Sequence, residues 1–192
     1  MSFSYPEFLQ LVGLYFYPFV RIGTMLSIIP LYGLSSVPVR SKVILSFFLT
    51  LIIAPTLSLP PPVDPFTNQG VLFIVQQVLI GLAMGLVFLI VFQAFVIAGH
   101  LISMGMGLAF AQMVDPGTGV NSPVVSQYFT IVVTLLFLAL NGHLLVIQVV
   151  ANSFDYLPIG SNFLTTDSLW TLVKFGSYMF TAGVLIALPA IT

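Results

Sequence analysis

The side chains that could carry a reaction in this chain are few and poorly spaced for one. His100 and His143 are its two histidines. Neither stands in a Glu-x-x-His or His-x-x-x-His pattern, which would set two ligands on one helix face toward a metal ion. Ser122, His100 and Asp115 could be written as nucleophile, base and orienting acid, yet no nucleophile elbow surrounds Ser122. Hydrogen-bonded packing histidines are the expectation, and a proton relay from Asp115 to a histidine is the remote alternative. Cysteine is absent, so disulfides, thiolate zinc sites and cysteine nucleophiles drop out together. With no phosphate-binding motif either, the residues predict a protein that is not an enzyme and holds no cofactor.

Two other features carry more physical content. Arg21 lies in the middle of a long apolar run, where an unpaired cation costs several kcal/mol and therefore needs partners. Its expected role is to bond helix-end carbonyls or a partner's carboxylate rather than to serve transport, because this chain offers no acid at that depth. Small residues recur at four-residue spacing, as Gly81 and Gly85 and again as Gly99, Ser103 and Gly107. That spacing lets helix backbones approach closely, either in internal helix packing or at a subunit interface.

The elements that must position these residues are apolar helices. Hydrophobic residues make up 59% of the chain, charged residues 5%, and mean hydropathy is +1.16; soluble domains carry roughly a quarter charged residues. A water-soluble fold is excluded on that ground. Four basic and five acidic residues leave a net charge of -1, so no basic patch exists to neutralise phosphates and nucleic acid is not an expected partner. The N-terminus lacks the basic start of a secretory signal, and Ser4-Tyr5-Pro6-Glu7 reads instead as a capped helix start near residue 5. Apolar runs follow at Phe8 to Ile29, Val43 to Leu59, Val71 to Phe110, Val124 to Val150 and Leu169 to Ile191. Each approaches or exceeds the roughly 20 residues that cross a bilayer as a helix. Prolines 30, 38, 60, 61, 62, 65 and 158 punctuate the gaps. The fold class predicted is all-α, with about five very hydrophobic helical segments forming hairpins, some kinked or broken, in a single domain over residues 1–192.

The third run is too long for a plain span, since a helix from Gly70 to Phe110 would extend roughly 60 Å, about twice the hydrocarbon thickness. It must bend, break or leave the membrane plane, and Gly99, Gly105 and Gly107 are the natural places. The fourth run meets the same difficulty more mildly at Asn141-Gly142-His143. Arg40 and Lys42 form the one basic cluster, and the positive-inside rule would put their loop, and the loop at Asp115, on the cytoplasmic side. If the helices assemble with partners outside the bilayer, that rule need not apply.

Between the third and fourth runs lies a glycine-rich break, Gly99 to Pro123. Asp115-Pro116-Gly117-Thr118 suits a tight turn, with proline presetting one central dihedral and glycine accepting the positive one. Ser122 and Pro123 then restart a helix. Met104, Met106 and Met113 bring adaptable, polarizable side chains. Two uses remain open for this segment: a deformable apolar seal, or an ordinary re-entrant loop.

A set of landmarks in a fixed order resembles the FliR/SctT family of type III secretion export-gate subunits. They are Arg21, Pro30, Val37-Pro38-Val39-Arg40, Gln77-Val78-Leu79-Ile80-Gly81, Ala98-Gly99-His100-Leu101-Ile102, Met106-Gly107-Leu108-Ala109-Phe110, Asp115-Pro116, Leu140-Asn141-Gly142-His143, Leu157-Pro158-Ile159-Gly160 and Ala187-Leu188-Pro189. The Asn141-Gly142-His143 region looks closer to the flagellar branch than to the virulence injectisome one. The resemblance implies a non-enzymatic gate subunit of the bacterial inner membrane and flagellar basal body, surrounded by membrane lipid. Its implied partners are FliP and FliQ, together with the export protein FlhB and unfolded flagellar substrates. It implies helices held as tilted hairpins in a cone largely above the usual membrane plane. It also implies that the stretch from Gly105 to Val120 helps close the pore beside a methionine-rich ring from FliP. On this chain that stretch includes Gly105, Met106, Gly107, Phe110, Met113, Asp115, Pro116, Gly117, Gly119 and Val120. Two departures accompany it: His100 stands where the family commonly has an acid, and the family continues through further apolar helices beyond Thr192, so the chain is expected to lack the C-terminal part. A small-solute transporter and a membrane enzyme are the alternatives from other classes, and Arg21 would have to carry the first of them.

Overall fold

The computed structural model describes residues 5–30, 37–65, 67–107 and 124–160, together with Leu185. Among these residues the fold is entirely helical: α1 (Tyr5–Ile28), α2 (Val39–Ile53) with a 3-10 turn at Ala54–Thr56, α3 (Asn68–Gly105), α4 (Val124–Ala139) and α5 (Gly142–Tyr156). Three of these helices are long and apolar enough to cross a membrane, or four spans if α4 and α5 count as one broken span. The all-helical, very hydrophobic class read from composition is what the fold displays. The run after Leu169 and the restart at Ser122-Pro123 lie outside the described residues.

Local chemistry explains the boundaries. Pro38 has an extended backbone (φ -63°, ψ 144°) and caps α2, so the helix begins at Val39, ahead of the apolar run at Val43. At its other end Pro55 falls in the 3-10 turn, and the proline-rich stretch at residues 60–65 cannot supply backbone donors to continue a helix. Pro18 sits inside α1; it has no N–H to donate, leaving the Leu14 carbonyl without its usual intrahelical partner. α5 stops at Tyr156, two residues before Pro158, because the residue preceding a proline is driven out of the helical region. The chain then turns at Gly160, whose φ is +88°.

One expectation about breaks is corrected and one is met. α3 runs unbroken through Gly99 for 38 residues and ends at Gly105; the penalty of about 1 kcal/mol for a helical glycine is outweighed there by close packing described below. The fourth apolar run does break, at Leu140–Asn141, where Asn141 takes a left-handed backbone with φ 57°. Asparagine is among the few non-glycine residues that tolerate this region.

The described residues belong to two compact units, one formed by residues 1–86 and 144–169 and the other by 87–143 and 170–192. In the first unit, Tyr17, Ile22, Met25 and Leu26 of α1 are buried with Ile29, Ile53, Ala54, Ile80, Val146, Val150 and Phe154. The second unit centres on Ala98 and Ile102 of α3, with Leu101, Val125 and Phe129 packed on them; Phe137 of α4 meets Phe88 and Phe92 edge to face. Large apolar side chains also point outward, among them Val43, Ile44, Phe47, Phe48 and Ile52 on α2 and Tyr128, Ile131, Leu135 and Leu136 on α4. Faces this apolar are stable against lipid or a partner, not against water.

Candidate functional site

The first unit contains a buried cation. Arg21, on the α1 face that packs on α3 and α5, is wholly inaccessible to solvent. Its Nε donates to Gln77 Oε1 at 2.7 Å. Nη1 donates to both the carbonyl and the hydroxyl of Ser153 at 3.1 Å, and Nη2 donates to the Leu157 carbonyl at 2.8 Å. The guanidinium carbon lies 4.1 Å from the centroid of the Phe154 ring, a cation–π distance. All four acceptors are neutral oxygens, and two are carbonyls at the C-terminal end of α5, where intrahelical donors run out. Among the described residues, neither the Nε2 of Gln77, also fully buried, nor the Tyr17 hydroxyl one turn before Arg21 has a hydrogen-bond partner.

Around this cluster α1 and α3 approach closely. A Cβ built on Gly81 would collide with Thr24 Oγ1 and lie 2.5 Å from the Arg21 carbonyl oxygen. Thr24 itself is held by hydrogen bonds to the carbonyls of Val20 and Arg21, both 2.9 Å. A Cβ on Gly85 would meet Ile28 Cβ at 2.9 Å. Gly81 and Gly85 thus lie at a helix–helix contact within the chain.

In the second unit Gly99 meets α4 instead: an added Cβ would fall 2.6 Å from Ser126 Cα. Next to it His100 Nδ1 is 2.8 Å from the Val96 carbonyl and 2.9 Å from Ser126 Oγ, and Ser126 Oγ is 3.2 Å from that same carbonyl. A carbonyl only accepts, so Nδ1 carries its proton, and the Ser126 hydroxyl is left to donate to Val96. An imidazole nitrogen already protonated cannot take the serine's proton, which removes this pair as a nucleophile and base. Ser103 is buried, with no partner for its hydroxyl among the described residues.

Of the segment assigned to pore closure, Gly105, Met106 and Gly107 are described. The Met106 amide still donates to the Ile102 carbonyl, and the Gly107 amide bonds back to Met104 in a tightened last turn. Met104 and Met106 are exposed; Gly107 has φ +73° and, among the described residues, nothing within 4 Å of an added Cβ. Phe110, Met113, Asp115, Pro116, Gly117, Gly119 and Val120 lie outside the described residues, as does Ser122.

Sequence reasoning did not find Gln77, Ser153 or Leu157 as partners of Arg21. Gln77 stood in a landmark motif, but nothing local joins it to residue 21. Ser126 was likewise missed, although its place in the first turn of an apolar helix is a weak signal for a buried hydroxyl that must find an acceptor.

Residues 12–192 match the family model of bacterial export proteins, family 1. Among curated proteins, the flagellar biosynthetic protein FliR of Escherichia coli (strain K12) is 39% identical over 187 residues, covering 97% of this chain and 71% of that relative. FliR of Pectobacterium carotovorum is 38% identical over 193 residues, covering 100% of this chain and 73% of the relative. FliR of Bacillus subtilis (strain 168) is 32% identical over 145 residues, 76% of this chain and 56% of that protein. A match this long, carried on apolar helices fit for a membrane and repeated across these relatives, leads to one conclusion: the chain belongs to the FliR family of bacterial flagellar export proteins.

Proposed function

We propose that this chain is a structural subunit of the flagellar type III protein export gate, assembled with FliP and FliQ into a closed pore through which unfolded flagellar proteins are secreted. Its place is the bacterial inner membrane at the flagellar basal body, with FlhB and membrane lipid as neighbours, and residues 1–192 serve as one gate domain. It binds and orients rather than catalyses.

The observation that carries this reading is the end of α3. A 38-residue apolar helix closes at Gly105 with Met104 and Met106 exposed, followed by a left-handed glycine that has no described residue within 4 Å of an added Cβ. Methionine adapts to varied apolar surfaces, and such a glycine lets the chain turn away at little steric cost. Together they lead into the segment from Gly105 to Val120 that the family resemblance assigns to pore closure. The outward apolar faces of α2 and α4 support the assembly part of the reading, since they need lipid or partner subunits to cover them.

Deletion of residues 105–120 in a flagellated host tests the gate. The expected outcome is raised permeability of the inner membrane to small solutes with the assembly still formed. A deletion that leaves the membrane as tight as before while flagellar proteins still pass would refute the closure role, and failure to co-purify with FliP and FliQ would refute the assembly.

A further inference from the structure

Arg21 poses an electrostatic question that the export reading does not use: a fully buried cation needs a counter-charge, and the oxygens it bonds are all neutral. The C-terminal end of an α-helix carries roughly half a negative charge from its unpaired carbonyls. α5 ends at Tyr156, and Arg21 bonds the carbonyls of Ser153 and Leu157 at that end. The Ser153 carbonyl accepts twice, from Arg21 and from the Leu157 amide at 2.9 Å. Pro158 stops the helix here, so no further helical turn covers the carbonyls that Arg21 reaches.

We propose that the C-terminal turn of α5 is the counter-charge of Arg21, and that the guanidinium clamps that turn onto α1 across more than a hundred residues of sequence. Geometry makes the clamp specific to arginine. Three nitrogens engage acceptors in three directions, Gln77 on α3, Ser153 within α5 and Leu157 just past it, while the flat face stacks on Phe154. An ammonium presents one nitrogen on a flexible stem and cannot reproduce the fork or the stacking. The acid closest in sequence to this turn is Asp155, which is exposed and receives none of the four hydrogen bonds.

Hydrogen–deuterium exchange on the detergent-purified full chain tests the clamp. Arg21→Met is expected to speed exchange of the amides of residues 153–157 at least tenfold, while amides of residues 78–82 on α3 change less than threefold. Arg21→Lys is expected to speed exchange at the same turn by a smaller factor, about threefold, and Asp155→Asn to leave it within twofold. Unchanged exchange at 153–157 in Arg21→Met would overturn the proposal, as would equal loosening of both stretches. If Asp155→Asn loosened the turn as Arg21→Met does, a carboxylate would be the counter-charge and the proposal would fall. Should Arg21→Met fail to fold, Arg21→Lys carries the same comparison: loosening confined to the turn supports the clamp, and equal protection or uniform loosening overturns it.

Discussion

Within the first unit α3 runs parallel to α1, for the contacts Tyr17 with Phe73, Arg21 with Gln77, Thr24 with Gly81 and Ile28 with Gly85 rise together in number. Within the second unit α3 runs antiparallel to α4, since Phe92 meets Phe137 while Gly99 meets Ser126. Both contacts use a glycine to bring backbones together, yet their polar content differs. The parallel seam surrounds a charge that must be satisfied at long range; the antiparallel one is closed by a serine, an imidazole and a neighbouring carbonyl from two adjoining helices. Apolar helices gain little from hydrophobic segregation when lipid is their surroundings. What makes each pairing specific is therefore the close glycine contact and the polar group beside it.

The largest expected effects strike the glycines. Gly81→Ala and Gly99→Ala should each destabilise their own unit by about 3 kcal/mol, because the new methyl meets backbone atoms that no rotamer change can move aside. The chain has no cysteine, so maleimide labelling of Ala54→Cys, buried in the first unit, and Ala94→Cys, buried in the second, reads each unit separately. Gly81→Ala should open the first position and Gly99→Ala the second; opening of both by either substitution would break the comparison. Ser126→Ala ranks next, at about 1 kcal/mol, since His100 keeps its bond to Val96 and only the serine's shared bonds are lost. A thermal melt in detergent should find Ser126→Ala milder than Gly99→Ala, and the reverse order would mean that the hydroxyl, not the close approach, holds the antiparallel contact. Smallest is Gly107→Ala, at about 1 kcal/mol or less from backbone strain alone, because no described residue lies within 4 Å of the added methyl. A stability loss matching that of Gly81→Ala would show Gly107 packed against something that these residues do not supply.

Much of this was legible in the residues. Composition dictated apolar helices, prolines marked the gaps, and the four-residue spacing of Gly81 and Gly85 announced a close helix contact. Arg21 stood out because a cation inside an apolar run must find partners. Its partners could not be named, since Ser153 and Leu157 lie 132 and 136 residues away and nothing local encodes that meeting. Local propensity marks Gly99 as a place for a break, whereas its value here is the room it leaves for Ser126. α3 is apolar on every side, so no periodic stripe tells which of its faces meets α1 and which meets α4. Of the segment that the resemblance assigns to pore closure, Gly105 to Gly107 are the described part.

Asn141 has a consequence for which sequences this fold can accept. Its left-handed backbone works as a filter at a single site: glycine enters freely, aspartate passes, and valine, isoleucine or threonine would each force the two helices that meet there to join or to fray. Gly142 beside it lies under the Phe137 ring, with no space for even a methyl group. Two neighbouring positions at the corner between α4 and α5 thus restrict the residue for separate reasons, one of backbone and one of volume.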